Sequence, residues 1–162
     1  MKKNILSVLM FVCALFFMLN TNVVSSNAAE PVNERLVRTQ ITPINDLYYA
    51  ETRIYEQRDS LAVYAASQTV SPYGVCDITD GAGKLVARYT LYCTFTYNGT
   101  TSSCTSATYS TNVYSSFFSF TSASAAKGSC IATGMYTVKC SFPSYSFSDS
   151  ITIKCDKNGV IS

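Results

Sequence analysis

Histidine and tryptophan are both missing from this 162-residue chain. The first absence removes the commonest general base and metal ligand, and with it Ser-His-Asp and Cys-His catalytic arrangements. The second removes the ring best suited to stacking on sugars. No CxxC pair occurs, the closest cysteines being separated by nine and ten residues, so structural zinc is not expected. GxSxG, phosphate-cradling glycine loops and dinucleotide fingerprints are absent too, and no SxxK spacing on a helix supports a Ser-Lys dyad. The expectation is a non-enzymatic protein with no cofactor and no bound metal.

Charge is scarce, at 14% of residues, and unevenly placed. Lys2 and Lys3 open a basic n-region, Ile5 to Leu19 forms an apolar run broken only by Ser7, and Asn20 to Ala29 turns small and polar. That order reads as a secretory signal peptide over residues 1–29, cleaved after Ala28 or Ala29. The run is too short, and lacks the basic flank, for a membrane anchor. Without Lys2 and Lys3, ten basic residues face ten acids, so nothing favours nucleic acid or an anionic membrane as partner. No second apolar run approaches spanning length, and the expected product is a soluble, secreted domain of about 133 residues.

Residues 30–59 carry six acids and four arginines with little strand pattern, and read as a charged N-terminal arm. Asn45 to Arg58 is a weak candidate for a short helix. Beyond it, residues 60–162 read as a β-domain. Tyr89 to Ala126 has no charged residue, yet 18 of its 38 positions are Ser or Thr and nine are Tyr or Phe. Hydroxyls alternating with aromatics suit a pleated sheet with one wet face. Period-two alternation runs through Leu85 to Tyr97, Cys130 to Phe142 and Phe147 to Cys155. Shorter strands are expected at Leu61 to Ala66, Cys76 to Thr79, Thr105 to Tyr114 and Phe117 to Ser122. About seven strands joined by Gly-, Asn- and Pro-containing turns predict an all-β antiparallel sandwich, with a small barrel as the alternative.

Six cysteines follow the leader: Cys76, Cys93, Cys104, Cys130, Cys140 and Cys155. An even number in an exported chain makes all six disulfide candidates. In LYCTFTYNGTTSSC, a two-residue Asn-Gly loop would set Cys93 opposite Cys104. A three-residue loop ending on a left-handed Gly99 keeps the apolar face continuous, aligning Tyr89 with Ala107, and sends Cys104 to the other face. The second register is preferred, leaving inward Cys93 to seek inward Cys140 across the sheets. Asp77 and Asp80 in CDITDG imitate half of a calcium loop, although an Asp capping a glycine turn needs no ion. Asp149 falls on an apolar face and is expected at a strand's open end. Tyr92 and Tyr145 are the aromatics expected at a binding surface, the latter in the Pro143 loop.

Cys93 and Cys140 on separate strands give the chain an immunoglobulin-like look. No Trp lies between them, and Tyr136 stands four residues before Cys140 rather than two, so only the sandwich architecture carries over. More closely, GKLVARYTLYCTFTYNGTTSSCTSATYS with the ending TIKCDKNGVIS resembles a group of small Sec-exported, β-rich proteins of Gram-positive bacteria, over most of residues 84–162. The resemblance implies export and β-architecture, and it assigns no activity and no site residue. The functional expectation is a secreted sandwich that binds a cell-surface, glycan or protein partner. A small exported toxin or bacteriocin-like antagonist is the alternative.

Overall fold

The computed structural model describes residues 33–58 and 67–162. The expected leader and the expected strand at Leu61 to Ala66 lie outside the described residues. Among the described residues nine β-strands and no helix are formed: β1 (Asn33–Asn45), β2 (Tyr48–Arg58), β3 (Gln68–Val70), β4 (Tyr73–Asp80), β5 (Leu85–Tyr97), β6 (Ser102–Val113), β7 (Phe118–Lys127), β8 (Ile131–Ser141) and β9 (Ser144–Lys154). All pairing is antiparallel. A six-stranded sheet runs β1-β2-β4-β5-β6, with short β3 extending the edge of β5 beyond β4, and β7-β8-β9 form a second sheet. Among the described strands the chain mostly turns back on its neighbour. The likeness to immunoglobulin domains therefore stops at two antiparallel sheets.

Over residues 33–58 the expected charged arm is instead the β1–β2 hairpin. Its period-two pattern is hidden because a carboxylate occupies an interior position. Glu56 is only 1% exposed, and Arg35 answers it with Nη2 at 2.5 Å and Nε at 3.2 Å. Its neighbours on that face, Ala50 and Ile54, are fully buried. No helix forms over Asn45 to Arg58; Asn45 closes the hairpin turn by accepting the N–H groups of Leu47 and Tyr48.

The interior lies between the sheets. Tyr89, Leu91 and Phe95 of β5 and Ile78 of β4 meet Tyr136, Val138, Ile151 and Ile153 of the small sheet. Burying each large apolar side chain contributes about 1.5–3 kcal/mol. The Tyr89 and Tyr136 rings stack at 4.8 Å, and the Tyr89 hydroxyl donates to the Ser124 carbonyl at 2.7 Å. Gly134 lies beneath the Tyr89 ring, where any Cβ would collide with it. Tyr136 donates to the Cys76 sulfur at 2.8 Å across the gap, so the buried phenol keeps a partner. Asp149 sits mid-strand in β9, opposite Tyr136, not at an open end. It is half-buried and its Oδ1 accepts the N–H of Ser150 at 2.7 Å.

The β5–β6 connection departs from both registers considered above. Tyr97 pairs with Ser102, leaving a four-residue turn, Asn98 to Thr101. Asn98 Oδ1 accepts the N–H groups of Thr100 and Thr101 at 3.0 and 2.8 Å, and Gly99 takes a φ of 81°. A bulge then follows. Phe95 opposes Cys104 while Thr94 opposes Ser106, so Thr105 is the extra residue. The four-residue turn thus puts Cys104 opposite Phe95, on the same inward face as Cys93, and the extra Thr105 shifts only the ladder beyond it. Cys93 itself stands opposite Ala107.

Candidate groove on the large sheet

Alternation on the six-stranded sheet leaves one set of side chains facing away from the small sheet. On β2 these are Glu51, Arg53 and Tyr55; on β4 Tyr73, Val75 and Asp77; on β5 Arg88, Thr90 and Tyr92; on β6 Thr108, Ser110 and Asn112. The ladder registers align them in three rows across the strands. One row reads Tyr55, Tyr73, Tyr92, Thr108. The next reads Arg53, Val75, Thr90, Ser110. The third reads Glu51, Asp77, Arg88, Asn112. Over these rows opens a groove of about 800 Å³, with Glu34 of β1 among its walls.

The tyrosine row is ordered. Tyr55 and Tyr73 stack at 5.0 Å, and Tyr73 and Tyr92 stand 6.2 Å apart with planes tilted by 32°. The Tyr73 hydroxyl donates to Glu34 Oε1 at 2.9 Å. Burial foremost, and then this carboxylate, push the Tyr73 phenol up to about 12, so it keeps its proton as a donor. Tyr92 is the open end of the row, at 47% exposure.

Charge at the floor is compensated. Asp77, 5% exposed, accepts Arg88 Nε at 2.5 Å on Oδ1 and Arg88 Nη2 at 2.9 Å on Oδ2, while Arg53 Nη2 also bonds Oδ2. This carboxylate holds the Arg88 guanidinium firmly in its charged form. Glu51 Oε1 lies 3.9 Å from Arg53 Nε, so two cations meet two anions there. Arg53 Nε itself is buried without a hydrogen-bond partner. The groove thus combines fixed phenols, a neutral ion network and a line of hydroxyl and amide groups from β6. Such a surface can hydrogen-bond and pack against a ligand.

Of the aromatics expected at a binding surface, Tyr92 is in the groove and Tyr145 is not. Tyr145 belongs to β9 rather than to a loop, and its ring packs against Tyr48 and Phe118 at 5.7 and 6.5 Å, under the sheets. Asp77 and Asp80 part company: Asp77 joins the ion network, whereas Asp80 Oδ1 caps its turn by accepting the N–H groups of Ala82 and Lys84. Among the described residues no group of three or more Cys, Asp or Glu side chains is arranged to hold a metal ion, and no helix is long and apolar enough to cross a membrane.

The cysteines form no disulfide among the described residues, correcting the bridge expected between Cys93 and Cys140. Those two lie toward opposite ends of the sandwich. Cys93 donates to the Pro72 carbonyl, and Cys140, paired with Phe118, donates to the Phe142 carbonyl. Cys76, Cys93, Cys104, Cys140 and Cys155 are buried, and Cys130 alone of the six is exposed.

Sequence reasoning missed Glu34, Arg53, Tyr55 and Tyr73. The signal lay in the alternation of Arg53 and Tyr55 with Ile54 and Glu56, once Glu56 is allowed an interior place. Compared with known proteins, the chain matches no family model, no curated protein and no solved structure.

Proposed function

We propose that this is an exported, non-enzymatic binding protein that holds a short stretch of neutral glycan in the groove of its large sheet. The row Tyr55, Tyr73 and Tyr92 beside the hydroxyl and amide line of β6 carries this reading. Ring edges and faces accept the C–H surface of a sugar, while Thr108, Ser110, Asn112 and the phenols exchange hydrogen bonds with its hydroxyls. A groove of about 800 Å³ suits a few sugar units rather than a flat protein partner. The balanced floor around Asp77 favours an uncharged ligand over a strongly anionic one. Export follows from the basic, apolar and small-residue order of residues 1–29.

The test is a glycan array followed by titration calorimetry on the purified protein, with Tyr73→Ala in parallel. Neutral oligosaccharides should bind wild type and lose affinity to the variant. Binding unchanged by Tyr73→Ala would remove the groove from the account.

A membrane-acting antagonist is the second reading. At the end of the sandwich holding the β1–β2, β6–β7 and β8–β9 turns, Leu47, Tyr114, Phe117 and Phe142 are 53%, 51%, 55% and 78% exposed. Apolar and aromatic turn tips suit a lipid interface. Dye release from phospholipid vesicles, lost in Phe142→Ser, would support this reading and its absence would discard it.

A further inference from the structure

The β8–β9 ladder runs out on two cysteines. Ile131 opposes Lys154, and one step beyond them Cys155 N donates to the Cys130 carbonyl at 3.0 Å. Lys154 turns both its N–H and its carbonyl to Ser162, away from β8, so the next residue points its backbone at β8. Cys130 and Cys155 thus occupy a hydrogen-bonded position, where antiparallel Cα atoms stand about 5.5 Å apart. That lies inside the range of roughly 4.4–6.8 Å that a disulfide spans. Ala132 and Ile153, the opposed pair two residues further in, are fully buried, and the cysteines follow them at the rim of the same face. Cys155 is buried there and Cys130 is exposed. No other two cysteines stand opposite one another among the described residues. Cys76 faces Thr52 and Tyr89, Cys93 faces Ala107, Cys104 faces Phe95, and Cys140 faces Phe118 and Tyr145. Cys104 does approach the β7–β8 turn, but its N–H goes to the Ser129 carbonyl, one residue short of Cys130.

We propose that Cys130 and Cys155 are a thiol-oxidation site whose product is a disulfide across the open end of the β8–β9 hairpin. Accessibility assigns the first step. Cys130 is the thiol that an external small-molecule disulfide can reach, and as thiolate it attacks one sulfur, forming a mixed disulfide and releasing one thiol. Register assigns the second step to Cys155, whose thiolate attacks the Cys130 sulfur and expels the other half of the reagent as a second thiol. Two protein thiols are thereby oxidised, one external disulfide is reduced to two thiols, and the two protons end on those released thiols. The bond also fastens the end of the chain. Cys155 begins the segment that folds back to pair with it through Ile161, and Lys157 in that segment accepts the Gly99 N–H of the β5–β6 turn at 2.8 Å.

The test uses the full-length chain, purified reduced and equilibrated with glutathione disulfide without denaturant. It is then alkylated, digested with chymotrypsin and mapped by mass spectrometry without reduction. Cleavage at Tyr97, Tyr109, Tyr136 and Phe147 puts Cys104, Cys130 and Cys155 on separate peptides. The expected product is a linked peptide pair holding Cys130 and Cys155, with Tm raised by about 5–10 °C. Cys155→Ala should arrest the reaction at a glutathione adduct on Cys130, and Cys104→Ser should leave the link in place. The wild-type map decides the pairing even if a variant fails to fold. A link from Cys130 to any cysteine other than Cys155, a glutathione adduct persisting on wild-type Cys130, or no reaction at Cys130 would each overturn the assignment.

Discussion

Tyr55 and Tyr73 face each other on β2 and β4, their rings stacked at 5.0 Å with planes 17° apart, and Glu34 fixes the second hydroxyl. Removing the middle ring therefore disturbs both neighbours. Tyr73→Ala should weaken oligosaccharide binding about tenfold or more, since an ordered aromatic contributes roughly 1 kcal/mol beyond its buried area. Tyr73→Phe, which keeps the stack and loses only the bond to Glu34, should cost less. Calorimetric titration of both variants checks the order.

Asp77 holds two guanidiniums. Asp77→Asn leaves Arg53 and Arg88 facing each other across a neutral amide, at a cost of about 2–4 kcal/mol, moderated because both arginines are about one third exposed. Adding Arg88→Gln to this variant should restore part of the loss. Urea denaturation of the single and double variants measures the coupling, and simple additivity would contradict a shared network.

Gly134 offers a test of the packing between the sheets. Gly134→Ala pushes a methyl into the Tyr89 ring and should cost about 1–3 kcal/mol. Tyr89→Phe combined with it should not rescue the variant, because the collision is with the ring as well as the hydroxyl.

High pH should unfold the reduced protein. Burial is the chief cause that pushes Cys76 up to about 11 and Cys93 and Tyr89 up to about 12, from 9.0 for the thiols and 10.0 for the phenol. A folded-state pKa above the unfolded one means the neutral form is favoured by folding. That stability is complete below pH 9 and is lost as pH climbs through 11 to 12. Denaturant midpoints measured in steps should hold level to about pH 9 and then fall; a midpoint that rose across this window would contradict the burial.

Much of the sheet could be read from side-chain alternation. The strand expected at Leu85 to Tyr97 has the same bounds in the structure, and β8 and β9 differ from expectation only near their ends. Where one face is apolar and the other hydroxylated, period two is unmistakable. β1 and β2 escaped because Glu56, a carboxylate, takes a core position that the distant Arg35 makes tolerable. The register of β5 on β6 escaped for a related reason. It depends on Asn98 organising four turn residues and on an extra Thr105, choices made by local hydrogen bonds that hydropathy does not record. The groove inherits that difficulty. Tyr92 could be singled out alone, but a row across four strands exists only once three registers are known.

The near-neighbour pairing of the strands bears on how the chain finds this fold. β1 with β2, β5 with β6, β7 with β8 and β8 with β9 all zip as adjacent segments, so each ladder closes a short loop. Sandwiches that interleave distant strands search far longer for their partners. Here each hairpin ladder closes at small loop-entropy cost, while the contacts of Tyr89 with Tyr136, which pack the β7–β9 sheet on β5, join segments far apart in sequence.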